Sequence, residues 1–327
     1  MLWDFEIGHA LALMGRTLPF SLLRIAVYAG IAVAYVLATG VGAGLGWAIG
    51  EVGGPEARAS GAFWGGAIGF GVVAAVLYWL RAYILYVLKA AHIAVLVALI
   101  DGRPLPQGRS QIEQGRQAVT VRFAEVNVLF AVDQLVKAVL AALTGLISGI
   151  AAVLPLPGMP ALVNLLRAFL RIAVGFVDEV ILAYAIRSQA TNPWRSAETA
   201  LILYAQNYKI MLKNAAWLAL VVYLLGLVVF IVMLTPAAAI AFLFPGGWAA
   251  IGVVFALLFT WSLKAALLEP FAIACLMQVY FRAIEGQAPD PEWEERLAQL
   301  SRKFARLKDR AAAWAPRPAA GAGRAAP

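Results

Sequence analysis

The sequence predicts an all-α membrane protein, a polytopic bundle of six transmembrane helices arranged as three hairpins. Hydrophobic residues make up 63% of the chain and charged residues 13%, whereas soluble domains are about half apolar and about a quarter charged. Six apolar stretches are long enough to cross a membrane, and basic links alternate with short, weakly charged ones. The composition alone excludes a soluble fold.

The six apolar stretches define the predicted transmembrane helices. A hydrocarbon core of about 30 Å requires about 20 helical residues. The stretches cover residues 22–50, 61–81, 134–154, 166–187, 214–243 and 249–270. Three of the five links between them are short and contain proline and glycine, namely EVGGPEARAS, PLPGMP and FPGGW. Links of this kind favour tight helical hairpins.

The other links are long and basic, and they set the predicted orientation. Arginine and lysine recur in residues 81–122, in residues 187–213 and from Arg282 onwards, whereas the short links contain Arg58 as their one cation. Cytoplasmic loops of membrane proteins carry the excess of Lys and Arg. We therefore predict a multi-pass protein of a bacterial-type inner membrane with both termini in the cytoplasm.

The apolar run over residues 61–100 contains no turn signal. About 40 residues at 1.5 Å each would extend about 60 Å, twice the thickness of the hydrocarbon core. We interpret this run as one long helix. Its inner half, around Lys89 and His92, is expected to leave the bilayer and to be covered by amphipathic segments.

Two of the cytoplasmic segments begin with recognisable helix starts. Asn192 and Asp290 are each followed by a proline, the combination of an N-cap residue with Pro at the first helical position. Residues 291–314 are predicted to form one amphipathic helix, which packs under the bundle, lies on anionic lipid or forms a coiled coil. The predicted organisation is thus a transmembrane domain over residues 1–290, this cytoplasmic helix, and a disordered tail over residues 315–327.

Two glycine triplets flank the first short link. They are Gly42, Gly46 and Gly50 before it, and Gly61, Gly65 and Gly69 after it. Because lipid provides no hydrophobic drive for helix association, small residues that permit close backbone approach take over this role. We predict that the two glycine faces pack against each other; a glycine-lined permeation path is the alternative.

Seven ionisable residues of the predicted spans lie at a similar depth, about 25–33 Å from the outer turns. This inner charged ring consists of Arg81, Asp133, Lys137, Asp178, Glu179, Lys264 and Glu269. Ionisable residues within membrane spans are functional candidates. The ring either braces the helices through ion pairs or forms a cytoplasmic vestibule that binds a charged solute or a lipid headgroup.

Specific pairings are expected within the inner charged ring. Asp133 and Lys137 are spaced as an i,i+4 pair. Asp178 is expected to face a cation at the level of Lys137 or Lys264, because an unpaired carboxylate at this depth is costly. Glu179 points about 100° away from Asp178 on a helix, so it is expected to reach the aqueous boundary.

Arg171 belongs to the candidate site under one of two interpretations. If the fourth helix begins at Ala161, Arg167 and Arg171 lie about 9 and 15 Å deep and share a helical face with Asp178. Arg171 is then a substrate-binding or coupling residue. If residues 161–166 form an interfacial loop, Arg167 instead extends to the outer headgroups.

The sequence lacks the common catalytic and metal-binding motifs. It has no HExxH, GxSxG, P-loop or CxxC motif, so we expect a protein that is not an enzyme and that holds no metal and no cofactor. The net charge of +8 arises from cations between apolar runs, which excludes nucleic acid as the expected partner. The expected partners are membrane lipids, a second copy of the chain, or a cytoplasmic protein.

One segment resembles a known family. The stretch AYAIRSQATNPWRSAETALILYAQNYKIMLKN, residues 183–214, is similar to the late region of choline-transporter-like proteins. The shared features are a long span, an Asn-containing break, a helix start with small residues, and an Asn before the next span. The similarity covers about a tenth of the chain. The whole chain is about half as long as members of that family and lacks their large extracellular loop.

The resemblance implies a transport or lipid-related role, and no binding residue is carried over from it. Two functions are therefore expected for the chain. It is a transporter or permease-like protein for a small solute or lipid-related molecule, or a non-catalytic scaffold that docks partners through its cytoplasmic helices. A transporter requires a water-filled cavity with unpaired charges, whereas a scaffold requires a solid core in which every charge is paired.

Overall fold

A computed structural model of the chain describes residues 3–104, 110–122, 131–132, 134–140, 177–189, 191–242 and 249–314. Within these ranges all regular elements are helical, which confirms the all-α class. The α-helices are Ile7–Arg16 (α1), Leu18–Gly50 (α2), Pro55–Ile100 (α3), Gln111–Arg122 (α4), Val177–Arg187 (α5), Pro193–Gln206 (α6), Tyr208–Ala241 (α7), Ala249–Leu263 (α8), Glu269–Ala283 (α9), Pro291–Leu300 (α10) and Arg302–Ala312 (α11).

Four described segments are long and apolar enough to cross a membrane. They are Leu18–Gly53, Pro55–Tyr78, Tyr208–Ala241 and Gly252–Ala283. Their positions match the first, second, fifth and sixth predicted spans. Of the third and fourth predicted spans, only residues 134–140 and 177–187 are described, and both pieces are helical. Length and composition therefore indicate a membrane protein.

The surface of these segments has the character expected of a lipid-facing surface. Val41 and Leu45 on α2, and Val228 and Ile231 on α7, each expose more than half of their surface. Soluble monomers rarely expose contiguous apolar patches of this kind. Apolar side chains are favourable in contact with the hydrocarbon of a bilayer. Hydrocarbon cannot form hydrogen bonds with the backbone, so the segments are continuous helices, in which the backbone groups bond to one another.

The glycine triplets lie where α2 and α3 pack antiparallel. A Cβ atom at Gly46 would overlap the Gly61 carbonyl oxygen, and one at Gly42 would overlap that of Gly65. The outermost members of the triplets oppose other small residues, since Gly50 meets Ala57 and Gly69 meets Ala38. The backbones of α2 and α3 are therefore in direct contact over about three helical turns.

Helix α3 is one unbroken helix of 46 residues, which confirms the interpretation of the run 61–100 as a single helix. In its second half every side chain from Ala90 to Val97 is buried. Helix α4 crosses this half so closely that a Cβ atom at Gly115 would lie 2.5 Å from the Ala91 carbonyl oxygen. Helix α4 thus covers part of the inner half of α3, although its residues are polar around the helix and it is not the amphipathic segment expected there.

Helices α8 and α9 are joined by a π-helical turn, Lys264–Leu268, within one continuous helical run. In this turn the amide of Glu269 donates to the Lys264 carbonyl, five residues earlier. The next amide in the same pattern would belong to Pro270, which has no N–H. The carbonyl of Ala265 is therefore left without a helical donor. Pro270 thus follows directly on a π-helical turn, a local departure from the α-helical hydrogen-bond pattern.

The predicted helix over residues 291–314 is two helices. Helix α10 ends at Leu300, and the extended residue Ser301 caps α11 by accepting a hydrogen bond from the Phe304 amide, at 3.3 Å. Asn192 and Asp290 cap α6 and α10 as the sequence predicts. Helix α11 packs on α6, and the Asn192 amide donates to the Ala311 carbonyl at 2.7 Å.

The N-terminal segment contacts the start of α7 through an ion pair, a hydrogen bond and an aromatic pair. The Asp4 carboxylate forms an ion pair with Lys213 at 2.6 Å and accepts a hydrogen bond from Asn214 at 2.7 Å. The hydrogen bond from Lys213 is the main reason that the pKa of Asp4 lies below its ordinary value of 3.8. Trp3 packs edge-on against Trp217, at 5.9 Å between ring centroids. The start of the chain therefore contributes to the helical packing.

Candidate functional site

A cavity of about 570 Å³ lies between the apolar segments, at their predicted cytoplasmic ends. Side chains from α2, α3, the segment 134–140, α5, α8 and α9 line it. We call it the inner cavity. Its volume falls within the range of small-molecule sites, about 300–1,000 Å³. Three members of the predicted charged ring line it, namely Lys137, Glu179 and Glu269.

Arg24 of α2 is the most deeply buried cation of the inner cavity, with 3% of its surface exposed. One terminal nitrogen donates to the Ala265 carbonyl at 2.7 Å, the carbonyl that Pro270 leaves without a helical donor. Its Nε atom is buried without a hydrogen-bond partner in the described part of the chain. No described carboxylate lies within ion-pair distance of it. A guanidinium stays charged in proteins, so this site holds a permanent positive charge.

Two neighbouring carboxylates on α5 have different partners. Asp178 pairs with Lys137 at 3.3 Å. Lys137 is one of the two cations at whose level the partner of Asp178 was expected. Glu179 pairs with Lys89 of α3 and is 4% exposed. The expectation that Glu179 reaches the aqueous boundary is therefore wrong. Lys89 lies on the inner half of α3 and is outside the predicted charged ring, and it supplies the cation that pairs with the buried Glu179.

The third ion pair bridges the π-helical turn. Lys264 and Glu269 lie 3.1 Å apart at its two ends. The Lys264 ammonium also lies 5.7 Å from the ring centroid of Tyr223 on α7, within range of a cation–π contact. Of this pair, Glu269 lines the inner cavity. The wall of the cavity formed by α8 and α9 therefore carries a charged side chain, Glu269, at the π-helical turn.

The remaining members of the predicted site fall outside what the structure describes. Asp133 and Arg171 lie outside the described residues, as does Arg167, and for Arg81 only the backbone within α3 is described. The proposed pairing of Asp133 with Lys137 and the role of Arg171 remain predictions.

Aromatic side chains line the inner cavity beside Arg24 and further along α2 and α3. Tyr28 and Trp261 meet edge to face at 5.4 Å between centroids. Tyr35 and Phe70 lie 4.5 Å apart, further along α2 and α3. All four rings line the cavity. None of the four belongs to the site predicted from sequence, although the i,i+4 spacing of Arg24 and Tyr28 places both on one helical face.

The arrangement can bind and orient a molecule with both charged and apolar parts. In the described residues there is no group of three His, Cys, Asp or Glu side chains that could hold a metal ion. His92 lies outside the cavity lining; its Nε2 is 3.0 Å from the Thr17 hydroxyl, and its ring stacks on Phe20. These contacts give His92 a packing role in the core.

Comparison of the chain with protein-family models, with curated proteins and with solved structures gives no match. The likeness of residues 183–214 to choline-transporter-like proteins therefore stays a prediction. The function has to be inferred from the inner cavity and its residues.

Proposed function

We propose that the chain is a transporter or permease-like membrane protein whose inner cavity binds a small solute or lipid-related molecule. The observation that carries the proposal is Arg24, a permanently charged side chain that is buried in the cavity without a carboxylate partner among the described residues. The described carboxylate whose charge acts on it, Glu269, is paired with Lys264, and a buried cation with incomplete compensation is costly. Ionisable groups in membrane spans mark substrate and ion pathways for this reason.

The proposal includes the topology. Six spans form three hairpins in an inner membrane, with both termini in the cytoplasm. The basic links of the sequence support this orientation. The antiparallel packing of α2 and α3, and the packing of α7 against α8, agree with the first and third hairpins.

The proposal is tested by blocking the inner cavity and analysing what remains bound. Ala74 lines the cavity, whereas its neighbour Ala75 is exposed on the same helix. Lipids and metabolites that co-purify with the wild-type protein, Ala74→Trp and Ala75→Trp would be extracted and compared by mass spectrometry. We expect a molecule in the wild type and in Ala75→Trp that is lost from Ala74→Trp. Its movement across liposomes containing each protein would then be measured.

Equal retention by the two tryptophan variants, or no specific molecule in any of the three proteins, would contradict the proposal. Transport that survives Ala74→Trp at the wild-type rate would also count against it. The folding of both variants is checked by size-exclusion chromatography in detergent, because a protein that aggregates cannot report on the cavity.

The second candidate function is a membrane scaffold that docks a protein through its cytoplasmic helices. The ion pairs Lys89–Glu179, Lys137–Asp178 and Lys264–Glu269 favour it, since a scaffold needs paired charges and a rigid interior. A scaffold would lose its partner when the exposed face of α10 or α11 is changed, and it would tolerate Ala74→Trp. The cavity-blocking experiment therefore separates the two functions.

A further inference from the structure

We propose that the inner cavity binds an amphiphile with an anionic headgroup, a phosphate or carboxylate attached to an apolar chain. This inference rests on the proposed function and specifies the chemical class of the molecule. It follows from the balance of charge around the cavity, from the geometry of Arg24 and from the order of polar and apolar residues along the helices.

The charge around the cavity favours an anion. Its described lining contains the cations Arg24, Lys89 and Lys137 and the carboxylates of Glu179 and Glu269. Lys89 and Glu179 neutralise each other, and Glu269 is paired with Lys264 outside the lining. Lys137 is paired with Asp178, and Glu269 acts on Arg24 electrostatically but is shared with Lys264. Four described cations, Arg24, Lys89, Lys137 and Lys264, therefore face three described carboxylates, Asp178, Glu179 and Glu269. A bound anion provides the missing charge.

The donors of Arg24 favour a phosphate or carboxylate. A guanidinium presents five N–H donors in a planar fork that matches these two groups. The Ala265 carbonyl accepts from one terminal nitrogen, which fixes the position of the fork. The Nε donor is buried and has no described partner. An oxyanion in the cavity meets a guanidinium whose orientation is already fixed, so little conformational entropy is lost on binding.

The cavity becomes less polar along every long helix that lines it. On α2 the lining changes from Arg24 to Tyr35, and on α3 it changes from Lys89 to Phe70. On the run formed by α8 and α9 it changes from Glu269 to Leu258. Helix α3 is antiparallel to α2. The run α8–α9 is antiparallel to α2 as well, because Arg24 contacts Ala265 and Tyr28 contacts Trp261. The three changes therefore have the same spatial direction. A headgroup fits at the charged end and a hydrocarbon chain fits at the apolar end.

The cavity also reaches the surface of a membrane-crossing segment. Tyr78 lines it and exposes 75% of its surface. An amphiphile can therefore reach the cavity from the exposed surface of α3 at this point.

The test uses the purified full chain in a neutral detergent and measures its thermal unfolding with three probes. These are dioctanoyl phosphatidylglycerol, dioctanoyl phosphatidylcholine and inorganic phosphate. We expect phosphatidylglycerol to raise the Tm in a saturable manner and the other two probes to have little effect. This comparison uses the wild-type protein alone, so it does not depend on the folding of any variant. Equal stabilisation by phosphatidylcholine would overturn the anionic headgroup, and equal stabilisation by phosphate would overturn the amphiphile.

Arg24→Gln and Arg16→Gln form the matched pair of variants. Both remove one positive charge, but Arg24 is buried in the cavity and Arg16 is exposed at the end of α1. Stabilisation by phosphatidylglycerol should be lost in Arg24→Gln and kept in Arg16→Gln. Equal loss in both would assign the effect to the surface and overturn the inference. A neutral or cationic molecule that is displaced by Ala74→Trp would overturn this inference while leaving the proposed function intact.

Discussion

Asp178 and Glu179 show how two adjacent charges can both be buried. Successive residues on a helix point about 100° apart, so the two carboxylates cannot share one partner. Asp178 meets Lys137 of the segment 134–140, and Glu179 meets Lys89 of α3. The start of α5 is thereby held between two other elements. Each carboxylate keeps one oxygen without a described hydrogen-bond partner, so the pairs are the main compensation for burial.

The Lys89–Glu179 pair gives the first prediction. Removing one partner of a buried ion pair leaves an uncompensated charge and costs about 3–5 kcal/mol, whereas replacing both partners with apolar residues is often neutral. We therefore expect Lys89→Met and Glu179→Met each to destabilise the protein by that amount, and the double variant to recover most of the loss. Denaturant unfolding in detergent measures the double-mutant cycle. Lys303→Met, at an exposed position of α11, is the control.

A double variant that is less stable than either single variant would contradict this account of the pair. The two side chains would then contribute separately, for example through their apolar atoms.

Part of the site could be predicted from sequence because depth in a membrane can be counted from the turns. That count placed Lys137, Asp178, Glu179 and Glu269 at one level. It could not identify Arg24, which lies two residues inside the predicted first span, where arginine is typical of the interface. Its burial depends on a carbonyl 241 residues away in the chain. No local pattern contains that contact.

At the element scale, the contact of α2 with α3 depends on which glycines face each other. Gly42, Gly46, Gly61 and Gly65 lie against backbone atoms of the opposite helix, whereas Gly44 has no heavy atom within 4 Å of the position of a Cβ. Glycine within a helix costs about 1 kcal/mol relative to alanine. Close backbone packing offsets that cost at the facing positions.

The second prediction follows from this difference. Gly46→Leu and Gly65→Leu should each lower the free energy of unfolding by about 3 kcal/mol or more, because the added side chain meets backbone that cannot move aside. Gly44→Leu and Gly71→Leu have open space at the Cβ position, so they should leave stability unchanged or slightly raised. Thermal unfolding of the four variants in one detergent provides the comparison. Equal effects at facing and open positions would disprove the packing role of the facing glycines.

The elements could be predicted where local chemistry determines them. The Asn192 and Asp290 caps follow from short-range hydrogen bonding and a following proline. The break at Ser301 was missed because the apolar period continues through it, with Leu297, Phe304 and Leu307 all buried. Serine is a common N-cap, but its role here depends on its extended backbone, with φ −139° and ψ 109°. The packing of α11 on α6 stabilises that conformation.

At the scale of the whole molecule, the orientation across the membrane is the third prediction. Val52 is 97% exposed in the first short link, and Glu285 is exposed after α9. In a Cys275→Ala background, Val52→Cys should react with an impermeant thiol reagent in intact cells, and Glu285→Cys should react only after permeabilisation. The positive-inside rule gives this expectation.

The reverse labelling pattern would place both termini outside the cytoplasm. Cys275 itself is fully buried. Its replacement removes background labelling of the native cysteine and changes no exposed residue. Labelling of both positions in intact cells would show that the two links lie on the same side, which is incompatible with the predicted topology.

Helix α3 is long enough for a small change in its tilt to displace its far end by several ångströms. At 1.5 Å per residue its 46 residues extend about 69 Å, and the glycine contact near Gly65 grips one end while Lys89 lies about 36 Å further along the axis. A tilt of about 5° at the grip displaces Lys89 by about 3 Å, enough to separate an ion pair. The glycine contact and the Lys89–Glu179 pair are thus two attachment points of one rigid helix, so a change in tilt at the first would act on the second through the length of the helix.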